Sequence, residues 1–394
     1  MTDIALVYDR SETDELGIRL TADEMGVGLT YLPFYKVALG FGNDGVTYRS
    51  PGQDYTSALK DVGVVLNRTQ SKNRRLFASA IFEALDKEVL NPLSAELACQ
   101  SKIRTLLAFL KSGIRVPKTV YVPSNVQEVR ADGGTLDNSG VISKLITREL
   151  GDGKVVTKPD AGTHGSDVRL ADGPEALAEM LRGVSSSIIN PSGVVAQEFI
   201  PKWFYDLRIV VEKEKGRPGL CHPTALARAG FKEFRTNTFL GNMVFRVMLP
   251  SSVQREAVRC GEALGSGAQA WVLALDAMPY IGDDRVVDEG ALRSCFDALE
   301  GPFGEVRKVK RYALKKRNFA EYTRMIGEAY GHYMSTEAYA SIEGAIEESL
   351  REKRDSVFFH EGNACPEFWE QTRLVGGVNV AEPLLRCALS LLDR

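Results

Sequence analysis

The stretch VVTKPDAGTHGSDVRL, residues 155–170, places a lysine just before a run of small residues. In a Walker-type phosphate loop the lysine follows the glycines, whereas here Lys158 precedes Gly162 and Gly165. A strand that ends in Lys158 and continues into glycines presents one fixed cation beside a flexible series of backbone N–H donors. This order predicts a flap that closes over phosphate groups. The alternative is an ordinary glycine-rich hairpin tip, in which His164 is a solvated loop residue.

The composition is that of a globular protein with room for two or three domains. The chain has 394 residues, of which 44% are hydrophobic and 26% are charged. Its net charge is −3 and its pI is near 6.0, so it has no general attraction for nucleic acid or an anionic membrane. We therefore expect small substrates, no nucleic-acid partner and no membrane partner.

Cysteine usage and the first residues indicate a cytoplasmic protein. The six cysteines are scattered, without a C-x-x-C pair, and the four histidines do not cluster into a zinc site. The opening MTDIALVYDR reads as a strand, because charged residues interrupt any signal-peptide pattern. No apolar run approaches the roughly 18 residues that a membrane helix needs.

The first part of the chain alternates strands and helices. The apolar runs IALVY (4–8) and VGVVLN (62–67) flank helical patterns such as RRLFASAIFEAL (74–85), which predicts an α/β unit with a parallel sheet. Ligands bind beyond the carboxyl ends of such strands, where this chain places the polar residues 67–71. An ordinary solvated strand end is the equally favoured alternative.

A well-delimited helix at 101–113 suggests that a second domain starts there. Ser101 can cap it, Gly113 ends it, and the apolar spacing predicts a buried face. That face would consist of Ile103, Leu106, Leu107 and Leu110. From residue 194 the pattern is mostly strands, except for a polar, largely helical segment at 279–355 that contains the basic run KVKRYALKKR (308–317).

Acidic and basic residues in the predicted strands indicate a metal and phosphate site. Asp276 ends one strand, while Glu361 and Asn363 stand two apart near the end of another and so share a face. Carboxylate and amide oxygens are hard ligands suited to Mg²⁺, with Mn²⁺ as a possible substitute. Arg208 and Arg228 lie in otherwise apolar strands, where burial requires a partner such as phosphate. Taken singly, each of these residues is more often structural.

The order of these pieces resembles the ATP-grasp superfamily of carboxylate–amine ligases over the whole chain except 279–355. Within it, NRTQS (67–71), RTNTFLGN (235–242) and EGNACPEFWEQTRLVGGVNVAE (361–382) are most similar to the RimK/LysX-type branch, whose members attach glutamate or similar amino acids to an amine. The resemblance implies an α/β (α+β) ATP-grasp fold: a Rossmann-like pre-ATP-grasp domain at 1–98, and two α+β subdomains, a central lid at 99–193 and a C-terminal one at 194–394, that clamp ATP.

The resemblance also assigns roles by position. It implies contacts to ATP from the two phosphate-binding lysines, the flap, the interdomain hinge and one aspartate, which are Lys102, Lys158, Gly162, Thr163, His164, Gly165, Ser166, Gln197, Glu198, Phe199, Ile200 and Asp206. Three residues would be catalytic: Arg228 and Asn237 would steady the transferred phosphoryl group, and Arg208 would lie with Asp206 at the nucleotide and substrate junction. Asp276, Glu361 and Asn363 would hold the metal. Residues facing the amino-acid substrates would be Asn67, Arg68, Ser71, Arg235, Gly377 and Asn379.

The sequence departs from that pattern between the metal ligands. About 85 residues separate Asp276 from Glu361, where the branch has a short hairpin, so an aspartate at 283, 284 or 288 is an alternative to Asp276. The insertion could be a dimerisation arm, a lid or a docking surface. Its basic run is interpreted first as a solvated helix face balanced by the acidic EGAIEESLRE (343–352), and the apolar positions 339, 342, 346 and 350 as local core.

The function expected from the resemblance is ATP-dependent ligation of two small amino acids, one of them glutamate, through an acylphosphate, with release of ADP and phosphate. The same chemistry on a carrier protein or a polypeptide terminus is the second hypothesis. A nucleotide-binding regulator that has lost turnover is the third. We also expect a homodimer.

Overall fold

A parallel sheet begins the chain, as the sequence predicts. The computed structural model describes residues 3–43, 45–162, 167–184 and 193–392. Its first sheet has the order β2-β1-β6-β7, with all neighbours parallel. The elements of this part are β1 (Ile4–Tyr8), α1 (Thr13–Met25), β2 (Thr30–Pro33), β3 (Ala38–Gly42), β4 (Gly45–Ser50), β5 (Gln53–Asp54), α2 (Thr56–Asp61), β6 (Val64–Asn67), α3 (Lys72–Ala84), β7 (Glu88–Leu90) and α4 (Leu93–Gln100).

A four-stranded antiparallel sheet follows, with the order β12-β11-β13-β8. Helices α6 and α7 bury Ile142, Ile146, Leu177 and Leu181 against it. The elements here are α5 (Lys102–Lys111), β8 (Thr119–Val122), β9 (Gln127–Val129), β10 (Thr135–Asp137), α6 (Ser139–Leu150), β11 (Lys154–Lys158), β12 (Arg169–Asp172), α7 (Pro174–Arg182) and β13 (Val194–Glu198).

The largest sheet is antiparallel, with the order β17-β16-β14-β18-β19 and β15 paired to β14. One face packs on helix α8 and the inserted helices, and part of the other face packs on α13 and the first sheet. Its elements are β14 (Tyr205–Lys213), β15 (Leu220–Cys221), β16 (Thr224–Ala229), a 3₁₀ turn (Thr238–Leu240), β17 (Met243–Met248), α8 (Ser251–Leu264), β18 (Trp271–Pro279), α9 (Glu289–Lys310), α10 (Phe319–Met334), α11 (Glu337–Glu352), β19 (Val357–Asn363), α12 (Gln371–Leu374) and α13 (Ala381–Leu392).

Helix α5 forms where the sequence predicts it, but with a different buried face. Ser101 caps it by accepting a hydrogen bond from the Arg104 amide, and Gly113 follows with a φ of 65°. The predicted face is wrong at two positions, because Leu107 and Leu110 are 51% and 56% exposed. The buried positions include Lys102, Thr105 and Phe109 instead, since the helix must also deliver a lysine to the interior. Apolar spacing alone could not show that one turn of the buried face would be polar.

The packing of α5 bears on the domain boundaries. Phe109 and Ile114 belong to the same core cluster as the large antiparallel sheet, whereas Val194 and Ala196 belong to the cluster of the four-stranded sheet. The predicted boundaries at 98/99 and 193/194 therefore fall inside segments that pack on a neighbouring unit. The three-domain division stays a prediction.

The helical insertion covers one edge of the large sheet, strand β17. Tyr333 donates its hydroxyl hydrogen to the Val244 carbonyl (3.0 Å), and the Tyr339 hydroxyl accepts the Arg246 amide (2.8 Å). These groups lie on β17, the edge strand, whose unpaired backbone would otherwise be open to another chain. The apolar stripe predicted as local core is confirmed, because Tyr339, Ile342, Ile346 and Leu350 are buried.

The described helices carry no membrane span: none is both long enough and apolar enough to cross a bilayer.

The contact between α8 and the Trp271 indole gives a test of the fold. A Cβ built on Gly261 would come within 2.7 Å of Trp271 Cζ3, and both residues are fully buried. We expect Gly261→Ala to lower the free energy of unfolding by roughly 1–3 kcal/mol in a urea titration. The control is Gly331→Ala, at an exposed helix position with open space around it, which should stabilise by about 0.5–1 kcal/mol. A neutral Gly261→Ala would contradict this packing.

Candidate active site

A cavity of about 640 Å³ lies where the three sheets meet. Sixteen of the residues predicted for the site line it. They are Arg68, Lys102, Lys158, Gly162, Gln197, Glu198, Phe199, Ile200, Asp206, Arg208, Arg228, Arg235, Asn237, Asp276, Glu361 and Asn363. The predicted flap residues Thr163, His164, Gly165 and Ser166 lie outside the described residues.

One aspartate joins the two segments that carry Lys102 and Lys158. Asp160 Oδ1 accepts hydrogen bonds from Ser101 Oγ and from the Ile103 amide, both at 2.9 Å, and its carbonyl accepts the Lys102 amide (3.1 Å). Asp160 thus joins the N-terminus of α5 to the end of β11, two residues after Lys158. A carboxylate is well placed at a helix N-terminus, where backbone N–H groups lack partners.

The lysines crowd one end of the cavity. Burial, and then the charge of Lys102, lower the pKa of Lys158 to about 7, although Glu361 opposes the shift. Lys102 Nζ lies 3.9 Å from Glu361 Oε1 and donates to the Gly162 carbonyl (3.2 Å). Two ammonium groups so close repel each other, and a phosphate group placed between them would relieve that repulsion.

Charged side chains from adjacent strands form a ladder across the large sheet. Arg208 binds Asp276 through two hydrogen bonds (2.9 and 3.0 Å). Arg228 donates to Asp206 Oδ1 (2.7 Å), and its second nitrogen lies 3.1 Å from Asp276 Oδ2. Asp206 faces Arg228 and Arg208 faces Asp276 directly in the strand register, so the sheet itself sets these pairs.

The ladder keeps its carboxylates ionised. Burial raises the pKa of Asp276, but the charges of Arg208 and Arg228 more than offset it, so the pKa lies below its usual range. Asp206 behaves in the same way, because Arg228 and Lys202 outweigh its burial and lower its pKa. Both groups are therefore anionic acceptors at neutral pH.

The predicted metal ligands converge on one edge of the ladder. Asp276 faces Glu361 in the pairing of β18 with β19, and Asn363 follows two residues later on the same strand. Among the described residues, the Asn363 amide nitrogen is buried without a hydrogen-bond partner. No three His, Cys, Asp or Glu side chains within the described ranges come together as a metal site. Two carboxylates and one amide fit Mg²⁺, which completes its shell with water and phosphate oxygens.

The alternative aspartates lie elsewhere. Asp284 pairs with Lys353 (2.6 Å), and Asp288 caps α9 by accepting the Ala291 amide (2.9 Å). These two residues and Asp283 are absent from the cavity lining, which supports Asp276 as the candidate ligand.

The hinge between the sheets is held by its own hydrogen bonds. The Glu198 amide donates to Lys118 O (3.0 Å) and the Phe199 amide to Lys154 O (3.1 Å), while the Gln197 side chain donates to Thr119 Oγ1 (2.8 Å). One Gln197 side-chain donor and the backbone amides of Glu198 and Phe199 are therefore used within the protein, while all of residues 197–200 still line the cavity.

Four predicted substrate residues are not brought to the cavity. The Asn67 side chain binds Ser79 and the Arg75 carbonyl, and Ser71 caps α3. Asn379 binds Thr21 at the start of α13, and Gly377 lies beside Thr224. From the polar segment 67–71, Arg68 and Gln70 line the cavity, whereas Asn67 and Ser71 are used to build a turn and a cap.

Several lining residues were missed by the sequence reasoning. Lys202 Nζ donates to Thr236 Oγ1 (2.7 Å), and burial lowers its pKa to about 8. His360 lies in the cavity lining next to Glu361, and burial followed by the charge of Lys158 lowers its pKa to about 4. Only Lys202 had a usable signal, a lysine between the hinge and the DLR sequence. Lys72, Lys310 and Lys315 also line the cavity.

The basic run of the insertion is therefore more than a solvated helix face. Lys310 pairs with Glu370 (2.8 Å), Lys316 with Glu12 (2.6 Å) and Lys308 with Glu305 (2.6 Å). These three partners lie outside the acidic segment 343–352 that the sequence favoured, although α9 itself packs against α11.

Comparison with known proteins supports this arrangement. No protein-family model matches the chain. The chain is 25% identical over 263 residues to the alpha-aminoadipate–LysW ligase LysX of Sulfurisphaera tokodaii, which covers 66% of this chain and 81% of that protein. A similar LysX from Saccharolobus solfataricus is 25% identical over 256 residues, covering 65% of this chain and 82% of that protein.

The fold is similar to that of a solved structure. The ATP-grasp ligase PsnB, complexed with its minimal precursor, superimposes with a TM-score of 0.55 at 12% identity, covering 100% of this chain and 99% of PsnB. The chain therefore has the ATP-grasp fold that its sequence predicts, with a Rossmann-like first sheet and two further sheets around the cavity.

The low pKa of Lys158 predicts pH-dependent nucleotide binding. Below pH 7 the free protein holds an ammonium there, and above pH 7 a bound nucleotide must first recharge the amine by taking up a proton. We expect affinity for a non-hydrolysable ATP analogue to fall by up to tenfold per pH unit above 7. Calorimetry in buffers of different ionisation enthalpy should detect the proton uptake. Lys158→Arg, which stays charged, should lose this slope, and an equal slope in both proteins would contradict the assignment.

Proposed function

Because the chain is an ATP-grasp carboxylate–amine ligase, we propose that it couples ATP hydrolysis to amide formation between glutamate and the amine of a second small amino acid. One observation carries the proposal. Two lysines, an arginine–carboxylate ladder and a set of metal-type oxygen ligands face the same cavity. As an enzyme, the chain does not fit the regulatory alternative that the sequence left open.

The nucleotide occupies the end of the cavity between the four-stranded and large sheets in this proposal. Lys102 and Lys158 bind its phosphate groups, and the hinge 197–200 holds the adenine through the backbone. Met278 and Ile200 supply apolar surface there. Lys202 and Asp206 lie between the hinge and the ladder, so they can bind the ribose or a phosphate oxygen. The sequence predicts a flap at Gly162 to Ser166 that would close over the phosphates.

The first chemical step brings two anions together, and the arginines of the ladder would reduce their repulsion. A substrate carboxylate attacks the γ-phosphorus of ATP, which forms an acylphosphate and releases ADP. Arg228 and Asn237 face the transferred phosphoryl group, and Arg228 is preorganised by its bonds to Asp206 and Asp276. Mg²⁺, or Mn²⁺ in its place, would be held by Asp276, Glu361 and Asn363 and would neutralise phosphate charge.

The second step needs positioning more than a protein nucleophile. The amine attacks the acyl carbon, the tetrahedral centre collapses, and phosphate leaves. Arg208 and Arg235 are the cations that would face the developing oxyanion. A closed flap would keep water from hydrolysing the acylphosphate.

The substrates enter at the end of the cavity lined by the first sheet. Arg68 is buried there, bound to Asp14 (3.2 Å) and to the Pro366 carbonyl (3.1 Å). Its buried Nε lies 3.8 Å from Glu15 Oε1, so Arg68 is fixed by two carboxylates and would attract a substrate carboxylate through its charge.

A second candidate acceptor is a carrier protein or a peptide. The name of the LysX relative gives LysW as its partner, and PsnB was solved with a minimal precursor. These names favour a macromolecular acceptor, whereas the net charge of −3 offers no general attraction to an acidic carrier. The homodimer and the cytoplasmic location stay predictions.

The proposal is tested by incubating the full chain with ATP, Mg²⁺, glutamate and single amino acids, while ADP, AMP and phosphate are measured. We expect ADP and phosphate to appear together with an amide product detected by mass spectrometry. If no amino acid and no peptide acceptor elicits ADP and phosphate, the proposed function fails. Release of AMP and pyrophosphate would indicate an adenylating enzyme.

The metal assignment predicts that Glu361→Gln abolishes turnover while the fold is kept. The amide replaces an anionic ligand with a neutral one, so we expect kcat to fall by at least about 100-fold with an unchanged circular dichroism spectrum. Asp284→Asn is the matched control, because it changes the alternative aspartate that pairs with Lys353 outside the cavity. The assignment is wrong if Asp284→Asn loses activity and Glu361→Gln does not.

A further inference from the structure

The insertion has a second role beyond covering the edge of the large sheet. Lys310, at the end of α9, and Lys315, in the turn before α10, both line the cavity. The three helices could cover β17 without sending any cation there. The part of the cavity wall that Lys310 and Lys315 form is therefore distinct from the part of the insertion that covers β17.

Lys310 is fixed by neighbours within the protein. Its ammonium lies 2.8 Å from Glu370, whose other oxygen accepts the Tyr322 hydroxyl hydrogen. Burial lowers the pKa of Lys310, but Tyr330 and Glu370 more than offset it, so the net shift is upwards. Lys310 thus serves to hold the turn against the segment 364–371.

The turn is pinned on its other side as well. Lys316 reaches Glu12 of the N-terminal domain (2.6 Å), and Phe319 packs on Trp369 with ring centroids 5.5 Å apart. The contacts of Lys310 on one side and of Lys316 and Phe319 on the other hold the turn at a defined position over the cavity. Lys315 lies between Lys310 and Lys316 in the sequence.

Lys315 itself has unused donors. Its Nζ donates to the Lys310 carbonyl (3.2 Å) and lies 5.7 Å from the centre of the Tyr322 ring. Within the described part of the chain no carboxylate lies within ion-pair distance of it, and Glu370 is already bound by Lys310 and Tyr322. An ammonium has three donors, so two remain for a ligand.

The contacts place Lys315 at the substrate end of the cavity. Glu370 follows Phe368 and Trp369, whose amides both donate to Asp14 Oδ1, and Asp14 in turn binds Arg68. The lysines assigned to the nucleotide lie on α5, β11 and the hinge. An anion bound by Lys315 would therefore belong to the substrate.

We propose that Lys315 is a specificity-determining residue, which binds a carboxylate of the substrate other than the one that reacts. The inference deepens the proposed function and rests on it: the substrate is acidic, either a free acidic amino acid or the acidic end of a peptide. A free acidic amino acid and an acidic peptide end would present the same carboxylate group to Lys315. The insertion would then supply the residue that recognises this carboxylate.

The test measures binding directly, with the full chain saturated with ADP and Mg²⁺. Calorimetry compares glutamate with glutamine, and Gly-Gly-Glu with Gly-Gly-Gln, for the wild type and three variants. We expect Lys315→Ala to weaken binding of the preferred acidic probe about tenfold or more, and to leave the neutral probe unchanged. Lys315→Arg should retain most of the affinity. If the wild type binds glutamate more tightly than Gly-Gly-Glu, the carboxylate comes from a free amino acid. If it binds Gly-Gly-Glu more tightly, the carboxylate comes from a peptide.

Lys308→Ala is the matched control, because it removes the same charge from the same basic run at an exposed site outside the cavity. It should bind both probes as the wild type does, and all variants should bind ADP equally. Equal losses for the acidic and neutral probes, no loss in Lys315→Ala, or a wild type that does not favour acidic probes would each overturn the inference. If acidic probes bind through Lys315 but no ADP and phosphate ever form, the proposed ligation fails while the binding role stands.

Discussion

The ladder of arginines and carboxylates on the large sheet is the constraint on which the site depends. Arg228 is buried between Asp206 and Asp276, and Arg208 holds the other side of Asp276. Buried charges are costly to desolvate, and they are tolerated only when each has its partner at hydrogen-bond distance. Since side chains alternate along a strand, a slip of one residue would turn every member to the opposite face. The register of β16, β14 and β18 and the geometry of the catalytic groups are therefore a single requirement.

The end of the cavity that holds Lys102 and Lys158 shows a different balance, because the two lysines share one nearby carboxylate, Glu361. Lys158 lies close enough to Lys102 for burial and repulsion to lower its pKa to about 7, and Asp160 holds the two segments together despite that repulsion. The crowding costs stability in the free protein, and a polyanionic ligand would remove that cost. A chain with a net charge of −3 can thus bind nucleotide strongly by concentrating a few cations in one place.

The sequence predicted most of the strands and the convergence of distant motifs, and it failed where a residue's partner was not visible. β1 spans Ile4–Tyr8 as predicted, and Glu361 faces Asp276 across the sheet. Asp276 lies inside β18 (Trp271–Pro279) instead of at a strand end as predicted, and it meets Glu361 because the two residues are paired across antiparallel strands. Asn67 and Asn379 lie outside the cavity lining and bind other protein groups, because a polar side chain can build a turn or a cap as readily as it can bind a ligand. The cavity position of Lys315 could not be predicted, because it depends on how α9 and α10 fold back, which no local pattern encodes.

The insertion joins the large sheet at a point where it leaves the pairing of Asp276 with Glu361 intact. β18 ends opposite the beginning of β19, with Pro279 paired to Val357, so the inserted chain leaves and returns at the same point of the sheet. The entropy of closing a loop grows only slowly with its length, and the pairing of Asp276 with Glu361 therefore survives the insertion. Helices added at that point lie beside the cavity, close to the arginine–carboxylate ladder but not part of it. Lys310 and Lys315 of the insertion can therefore change the cavity lining while the strands on either side keep the ladder in register.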